Sequence, residues 1–466
     1  MNPVSIEKIE AFANSLRGRL VDADHPEYDE VRSIWNAMID RRPALFAQCK
    51  GSADVVSCVR FARDNDLPFS IRSGGHHIAG NSIVEDGLVI DLSRLNSVQV
   101  DPHQKIATVE PGATLGDIDH ETQHYGLATS LGINSTTGIA GLTLGGGFGW
   151  LSRKHGMTVD SLIEADIVTA EGEVLRVNKD EHSDLFWAIR GGGGNFGIVT
   201  RFVFQLHDIG PMVFAGLIAL PADESKSILQ QYRSYSANLP DELTVWAVLR
   251  KAPPLPFLQE QDHGKDVVIM AFMYVGDECS GQQLVEPISY FANPYGSFMG
   301  MMPYTAWQQS FDSLLTPGAR NYWKSHNFKE LSDEYLDVVA DAAAQLPSPH
   351  CEIFIAQMGG YTGRQAIDKT AYVHREANYL MNVHCRWETE QEDNSCIAWA
   401  RALFDHAKPH AMGGAYVNFM SYDEEERVPQ SYGSNYDRLV RIKQKYDPDN
   451  IFNVNHNIKP IQELAA

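Results

Sequence analysis

The chain has 466 residues, of which 44% are apolar and 21% are charged, and its formal net charge is −22 at pH 7. This balance is typical of a globular protein, and the length is sufficient for two domains with separate cores. The negative charge argues against binding to nucleic acid or to an anionic membrane surface. Neutral or cationic small molecules are therefore the expected partners.

The N-terminal segment, MNPVSIEKIEAF, lacks the basic head and the apolar core of a secretion signal, and no apolar run approaches the roughly 20 residues that span a bilayer. We expect a cytoplasmic protein without membrane contact, present as a monomer or a homodimer. The cysteines are too sparse for a disulfide scaffold and lack the spacing of paired metal ligands. This pattern indicates buried free thiols and no metal site for Cys49, Cys58, Cys279, Cys351, Cys385 and Cys396.

Short strands and helices alternate over the first part of the chain. The apolar pattern predicts a helix that starts near Ser52, and a hairpin turn at Glu171–Gly172. It also predicts strands over residues 44–49, 68–72, 87–92, 97–100, 106–109 and 165–169. The cofactor loops discussed below therefore follow or precede strands.

Longer strands, separated by helical segments, are predicted from about residue 212 to residue 411. The strands cover residues 243–249, 267–275, 352–357 and 382–387, and a helix covers 332–345. This pattern indicates an α+β fold in which helices cover one face of an antiparallel sheet.

The segment RSGGHHIAG, at residues 72–80, combines glycines with a histidine pair. Glycine adopts positive φ and has no Cβ, so the backbone N–H groups of such a loop can converge on a pyrophosphate. A neutral imidazole nitrogen can also attack the 8-methyl carbon of an oxidised flavin and form a carbon–nitrogen bond. The segment therefore predicts a tightly held flavin, with a covalent link to histidine.

A second glycine-rich segment, Gly192–Gly197, satisfies the pattern G-x-G-x-x-G. It follows a helical segment over 184–190 and precedes a strand over 198–204. A Rossmann dinucleotide site needs the opposite order, with a strand before the glycines and a helix after them. The pattern therefore does not indicate a nicotinamide-dependent dehydrogenase.

Five ordered blocks cover nearly the whole chain: RSGGHHIAG (72–80), GINSTTGIAGLTLGGGFGW (132–150), DLFWAIRGGGGNFGIVTRFVF (184–204), AYVNF (415–419) and YDPDNIFNVNHNIKP (446–460). Together they resemble the berberine bridge enzyme-like group of FAD-linked oxidases, in the vanillyl-alcohol oxidase and p-cresol methylhydroxylase superfamily. The resemblance implies a two-domain vanillyl-alcohol-oxidase-type fold. Its FAD-binding domain would comprise residues 1–211 and 412–466, and its substrate domain residues 212–411.

The resemblance also implies a set of cofactor-binding residues. His76 matches the histidine that carries the 8α link, whereas His77 is expected to pack or hydrogen-bond in the flavin loop. Asn134 stands where bicovalent members have a second, cysteinyl link, so a single histidyl link is expected. The FAD-binding residues implied are Arg72, Ser73, Gly74, Gly75, His76, His77, Gly80, Gly132, Asn134, Thr136, Thr137, Gly138, Gly141, Leu142, Gly145, Gly146, Ile198, Asn455 and Asn457.

Two further residues are implied as catalytic. Tyr416 matches a family tyrosine that faces flavin N5, and Arg386 stands where plant members have Glu or Gln directly before the tryptophan matching Trp387. A cation within about 4–6 Å would lower the pKa of the tyrosine and make it a better base. Arg386 could equally bind substrate, or lie on the surface.

The resemblance implies hydride transfer from a small organic substrate (an alcohol, an amine or a natural-product intermediate) to covalent FAD, followed by reduction of dioxygen to hydrogen peroxide. Thr137 matches the residue that controls oxygen access in plant members, and its size, close to that of valine, favours an oxidase. A dehydrogenase with another acceptor, and a flavin-containing protein that sequesters a natural product, remain open.

Overall fold

Residues 4–461 are described by the structure, a computed structural model. Up to residue 211 it contains short helices and strands: α1 (Ile6–Ser15), β1 (Arg19–Asp22), α2 (Tyr28–Arg32), β2 (Leu45–Gln48), α3 (Ser52–Asp64), β3 (Phe69–Arg72), β4 (Leu88–Asp91), β5 (Val98–Asp101), β6 (Ile106–Val109), α4 (Leu115–Gln123), β7 (Leu127–Ala128), α5 (Ile139–Leu144), α6 (Ser152–His155), α7 (Thr158–Ser161), β8 (Leu162–Val168), β9 (Val174–Asn178), α8 (Ser183–Ala188), β10 (Ile198–Gln205) and β11 (His207–Asp208).

These strands form two main sheets. The first has the order β1-β2-β4-β3, in which β2, β4 and β3 are parallel; the second has the order β5-β6-β10-β8-β9 and is antiparallel. All four residues of β2 and of β4 are buried, as expected for parallel strands covered on both faces. The strand β3 ends at Arg72, so the histidine loop follows it directly.

The middle of the chain forms one antiparallel sheet with the order β15-β12-β14-β13-β17-β18-β16. Its elements are β12 (Met212–Pro221), α9 (Ser225–Ser236), β13 (Leu243–Lys251), β14 (Asp266–Tyr274), α10 (Glu278–Val285), β15 (Gly296–Pro303), α11 (Tyr304–Gln308), β16 (Arg320–Phe328), α12 (Asp333–Ala343), β17 (Glu352–Gln357), α13 (Gly360–Gly363), β18 (Tyr379–Trp387) and α14 (Asp393–Ala407).

The two faces of this sheet differ because side chains alternate along each strand. On one face, Ile353 and Val383 join a hydrophobic core with residues of α9, α12 and α14. On the other face, Phe354 and His384 line a cavity. Helices therefore cover one face, as predicted, and the opposite face is available for a ligand.

The end of the chain returns to the first part of the molecule. Its helix α15 (Val428–Tyr432) contributes Val428, and its helix α16 (Tyr436–Tyr446) contributes Leu439 and Ile442, to the core that contains β8 and β10. The boundaries predicted at residues 211 and 411 remain predictions. Within residues 4–461, none of the helices is both long and apolar enough to cross a membrane.

Candidate active site

One cavity brings the glycine-rich loops together with the helix-free face of the seven-stranded sheet. Its lining includes many of the residues implied by the sequence: Ser73, Gly74, Gly75, His76, His77, Gly132, Asn134, Thr137, Gly138, Gly141, Leu142, Gly145, Ile198, Tyr416 and Asn455. Residues from five sequence blocks therefore border the same space.

The loops approach each other so closely that only glycine fits at their contact. A Cβ added at Gly74 would lie 2.5 Å from the backbone nitrogen of Gly138, and a Cβ at Gly138 would lie 2.5 Å from that of Gly74. By contrast, a Cβ added at Gly141 or Gly194 would meet no atom of residues 4–461 within 4 Å. The first pair thus closes the loop contact, whereas the second pair leaves room for a ligand against the backbone.

Five of the cofactor-binding residues implied by the resemblance do not line the cavity: Arg72, Gly80, Thr136, Gly146 and Asn457. Arg72 forms an ion pair with Asp91 (2.7 Å), and Gly80 closes a turn on His77 with φ +72°. Thr136 reaches the cavity only through His76. Arg72, Gly80 and Thr136 therefore contact the loops or their flanking strands, and Gly146 and Asn457 are not at the cavity surface.

His76 is held in a defined tautomer by Thr136 and Asn134. The Thr136 hydroxyl donates to Asn134 Oδ1 (2.7 Å), so at its 3.0 Å contact with His76 Nε2 it must accept. Nε2 therefore carries the proton and Nδ1 keeps its lone pair. Burial lowers the pKa of His76 to about 4, so the ring is neutral at pH 7.

The neighbouring His77 is bonded differently. Its Nδ1 accepts a hydrogen bond from the backbone N–H of Ala79 (3.2 Å), and its ring packs 4.9 Å from the ring of His456. Burial lowers the pKa of His77 to about 4. Of the two histidines, His76 has the better placed nucleophilic nitrogen.

Tyr416 is 2% exposed and borders the cavity. Its hydroxyl oxygen accepts from the Gly147 N–H (3.0 Å) and from Asn418 Nδ2 (3.1 Å). Burial raises the pKa of Tyr416 to about 12 despite these two hydrogen bonds. At neutral pH the side chain is therefore a neutral phenol with its own proton available for donation.

Of the three roles left open for Arg386, lowering the pKa of Tyr416 is contradicted, because that pKa depends on burial and on hydrogen bonds from Asn418 and Gly147. An exposed surface position is contradicted as well, because Arg386 is buried. The guanidinium donates to the Thr316 carbonyl (2.6 Å) and hydroxyl (3.1 Å), and lies 5.4 Å from the Trp35 ring. Within the described residues, Arg386 is not part of the cavity lining. Because side chains alternate along β18, Arg386 lies on the same face of the sheet as His384. It lies two residues nearer the end of that strand.

The sheet contributes polar residues that the sequence analysis missed. Glu352 on β17 and His384 on β18 are paired in register, and Asn382 lies beside Phe354 in the same way. All four line the cavity, together with the rings of Trp35, Phe148, Trp246, Trp323 and Phe419. A polar residue at every second position of an otherwise apolar strand was the available signal.

Glu352 and His384 form a buried dyad. Glu352 Oε1 lies 2.9 Å from His384 Nδ1, and Glu352 Oε2 pairs with Arg250 Nη1 at 2.7 Å. Burial alone would raise the pKa of Glu352, but the charge of Arg250 and the hydrogen bond of His384 lower it to about 2. The glutamate is therefore a carboxylate and acts as an acceptor.

The second glycine segment also borders the cavity. Gly193, Gly194 and Asn195 line it, between α8 and β10. The order of helix, glycines and strand is the predicted one, so the segment is not a Rossmann site. The block 184–204 was identified as a family motif, but of its residues only Ile198 was inferred to bind the cofactor, so Gly193, Gly194 and Asn195 were missed.

Two family models match the chain. The model described as FAD binding domain matches residues 43–178, and the model described as berberine and berberine like matches residues 415–459. The first contains the histidine loop and the second contains Tyr416. The chain therefore carries an FAD-binding domain.

Similar proteins match over nearly the full length. An FAD-linked oxidoreductase of Dictyostelium discoideum is 33% identical, with 97% of both chains covered. The (R)-6-hydroxynicotine oxidase of Paenarthrobacter nicotinovorans is 28% identical over 96% of this chain and 97% of that protein.

The fold agrees with these matches. The structure of 6-hydroxy-D-nicotine oxidase from Arthrobacter nicotinovorans superimposes with a TM-score of 0.84 and 26% identity, covering 96% of this chain and 99% of that one. The α+β architecture is thus that of a vanillyl-alcohol-oxidase-type flavoprotein. The chain belongs to the berberine bridge enzyme-like family of FAD-linked oxidoreductases.

Proposed function

We propose that this protein is an oxidase that removes a hydride from a small aromatic alcohol or amine, with covalently bound FAD as the first acceptor and dioxygen as the second. The observation that carries the proposal is the shared cavity, in which glycine loops and His76 face an aromatic sheet surface with a polar dyad. Dioxygen would leave as hydrogen peroxide.

The residues present fit FAD. The open space at Gly141 and Gly194 accommodates a flat or phosphate-bearing group against the backbone, and Asn455 Oδ1 is buried with no hydrogen-bond partner among residues 4–461. Ser73, Gly74, Gly75, Gly138 and Asn455 would hold the cofactor. Bound FAD supplies a two-electron acceptor for hydride.

The bonding of His76 supports a single covalent link through Nδ1. That nitrogen keeps its lone pair because Nε2 donates to Thr136. A C–N bond to the flavin 8α carbon would replace one methyl C–H bond: the hydrogen would leave as a proton, the two electrons would reduce the flavin ring, and dioxygen would take them up. Asn134 has an amide where a second link needs a thiolate, and both ends of that amide are hydrogen-bonded.

Two further features support an oxidase acting on a small aromatic molecule. Thr137 lines the cavity at the position that controls oxygen access in plant relatives, and its small side chain favours entry of dioxygen. The aromatic rings of the sheet face suit a flat substrate, and the related (R)-6-hydroxynicotine oxidase is named for such a molecule. The six free cysteines agree with a cytoplasmic location.

The covalent link is tested by acid precipitation. The wild-type pellet should remain yellow, whereas His76→Ala should release its flavin into the supernatant. The adjacent His77→Ala is the matched control and should keep the link, because its Nδ1 accepts from Ala79 in the native loop. Flavin retained in His76→Ala, or a peptide with two attachment points, would contradict a single link at His76.

Oxidase activity is tested by mixing the protein anaerobically with 4-methoxybenzyl alcohol, benzylamine or (R)-6-hydroxynicotine. A substrate should bleach the flavin absorption, and admission of air should restore the colour with one equivalent of peroxide. A bound but unreacted ligand would only perturb the spectrum, as expected of a sequestering protein. Slow recovery in air would identify a dehydrogenase with another acceptor.

A further inference from the structure

We propose that His384 Nε2 is the atom that takes the substrate proton, and that Glu352 is the positioning residue that prepares it. This inference rests on the proposed oxidase function and names the base within the same cavity. It follows from the bonding of the dyad, its burial and its position in the lining.

The dyad fixes the tautomer of the imidazole. Since Glu352 is a carboxylate with only acceptor atoms, His384 Nδ1 must carry the proton that spans their 2.9 Å contact. A neutral imidazole with Nδ1 protonated has its lone pair on Nε2. A carboxylate that orients a histidine in this way also stabilises the imidazolium formed after proton transfer.

The imidazole of His384 borders the cavity, and its Nε2 is a buried acceptor without a partner among residues 4–461. The residue is 5% exposed. The Trp323 ring packs against the imidazole at 4.5 Å, which restricts its rotation. Asn382 Oδ1, on the same strand, is a second buried acceptor without a partner in residues 4–461.

These acceptors define the chemistry of the substrate. A cavity with two bare acceptors suits a molecule that donates from a hydroxyl or an amine, because each buried acceptor gains a hydrogen bond on binding. The aromatic rings around them suit an aromatic body. Arg250, the cation bonded to the dyad, is already paired with Glu352.

Tyr416 is the other candidate base, but its bonding makes it a donor. Its oxygen already accepts two hydrogen bonds, and its buried phenol keeps its proton well above neutral pH. The Phe419 ring contacts both the Tyr416 ring and the Trp323 ring. Tyr416 therefore borders the same cavity as His384. A neutral tyrosine there would hydrogen-bond the substrate oxygen or nitrogen.

The proton balance is simple. The substrate carbon gives up its C–H electron pair as hydride to the FAD acceptor, and the O–H or N–H proton moves to Nε2. The electron pair of that O–H or N–H bond becomes the second bond of the C=O or C=N product. The imidazolium later returns its proton as dioxygen takes up two electrons and forms hydrogen peroxide.

The kinetic test measures anaerobic flavin reduction by rapid mixing with the three compounds named above. We expect His384→Gln to slow reduction by about 10²–10⁴-fold while its flavin content stays unchanged. Glu352→Gln should cause a smaller loss. The matched control is His350→Gln, which removes a half-exposed histidine paired with Glu388 on the surface and should have no effect.

The pH profile separates a base from a packing residue. Protonation of the imidazole should slow reduction on the acid side, and this loss should disappear in His384→Gln but remain in Tyr416→Phe. The charged groups that bear on His384 are Glu352 on β17, Arg250 on β13 and Arg386 on its own strand. Added imidazole should partly restore reduction in His384→Ala, which tests the chemistry even if that variant packs less well.

A second readout does not depend on a substrate. Nitrogen-15 NMR of histidine-labelled holoenzyme should show an Nδ1-protonated neutral ring that is lost in His384→Gln. An Nε2-protonated ring would overturn the proposal, as would equal reduction rates in wild type and His384→Gln. If none of the three compounds bleaches the wild-type flavin, the oxidase proposal fails for them, and the tautomer still decides the assignment of His384.

Discussion

Burial determines what Tyr416 can contribute, and the sequence could not show this. The motif AYVNF drew attention to Tyr416, which lies at the cavity. The expected cationic neighbour, Arg386, is instead bonded to Thr316, so nothing counteracts the burial that raises the pKa of the tyrosine to about 12. The position of a residue in a motif does not give its protonation state, which depends on contacts from distant parts of the chain.

We predict a modest effect for Tyr416→Phe. The ring contacts with Phe148 and Phe419 remain, and the loss of one donated hydrogen bond to the substrate corresponds to about tenfold in flavin reduction. The rate of flavin reduction, measured by rapid mixing at several pH values, checks this factor. A loss of about 10³-fold or more, together with the disappearance of the acid limb, would instead identify the tyrosine as the base.

The strands that carry Glu352 and His384 were predicted, but their pairing was not. The predicted ranges 352–357 and 382–387 overlap β17 and β18. A single sequence does not reveal which residues of two strands face each other, and a shift of one residue would direct one member of the dyad into the helix-covered core. The histidine loop was easier to identify because its residues are contiguous.

At the level of elements, strands with clear boundaries were predicted within a few residues, whereas three strands of the seven-stranded sheet, β12, β15 and β16, were missed. The strand β12 is almost entirely buried and therefore lacks the alternation of a half-exposed strand. The strand β16 lies at the edge of the sheet and contains the polar run RNYWKSHNF. In both cases the environment that explains the sequence comes from neighbouring strands.

The contact between two glycine loops gives a sharp test. Gly74→Ala should reduce both the stability of the protein and its flavin content, because the new Cβ would overlap the backbone of Gly138. Gly141→Ala is the matched control within α5: it should preserve or slightly raise apoprotein stability, by up to about 1 kcal/mol, yet reduce flavin binding.

Thermal unfolding of the apoprotein and flavin absorbance of the purified protein measure the two effects separately. Equal stability of Gly74→Ala and wild type would show that the loops separate without cost. Normal flavin content in Gly141→Ala would show that the open space beside it is not used by the cofactor.

At the scale of the whole molecule, buried histidines make stability depend on pH. Burial lowers the pKa of His326 to about 4 and that of His456 to about 3, whereas an unfolded histidine titrates near pH 6.5. The unfolded chain therefore binds more protons as the pH falls from about 6.5 towards 4, and stability is lost over that interval. At full effect, the shift corresponds to about 3 kcal/mol for His326 and about 5 kcal/mol for His456.

We expect the unfolding temperature of the holoenzyme to fall steadily between pH 7 and pH 4.5. Asp119 acts in the opposite direction, because burial raises its pKa to about 7 despite a hydrogen bond from Gln308. Its native state holds a proton that the unfolded state releases above about pH 4, so Asp119 costs stability as the pH rises towards 7.

Asp119→Asn mimics the protonated carboxyl and should raise the unfolding temperature at pH 8 more than at pH 4.5. Equal changes at both pH values would argue against a raised pKa for this carboxyl. An unfolding temperature for wild type that stays constant down to pH 4.5 would argue against neutral buried histidines.

Because side chains alternate across the seven-stranded sheet, the residues that stabilise the fold lie on one face and those that border the cavity lie on the other. Ile353 and Val383 hold the sheet to its helices, while their sequence neighbours Phe354, Asn382 and His384 face the cavity. Substitutions at odd and even positions of the same strand thus have different consequences. A lineage with this architecture can diversify the molecules it oxidises by exchanging Phe354 or Asn382, while the residues that secure its fold are inherited unchanged.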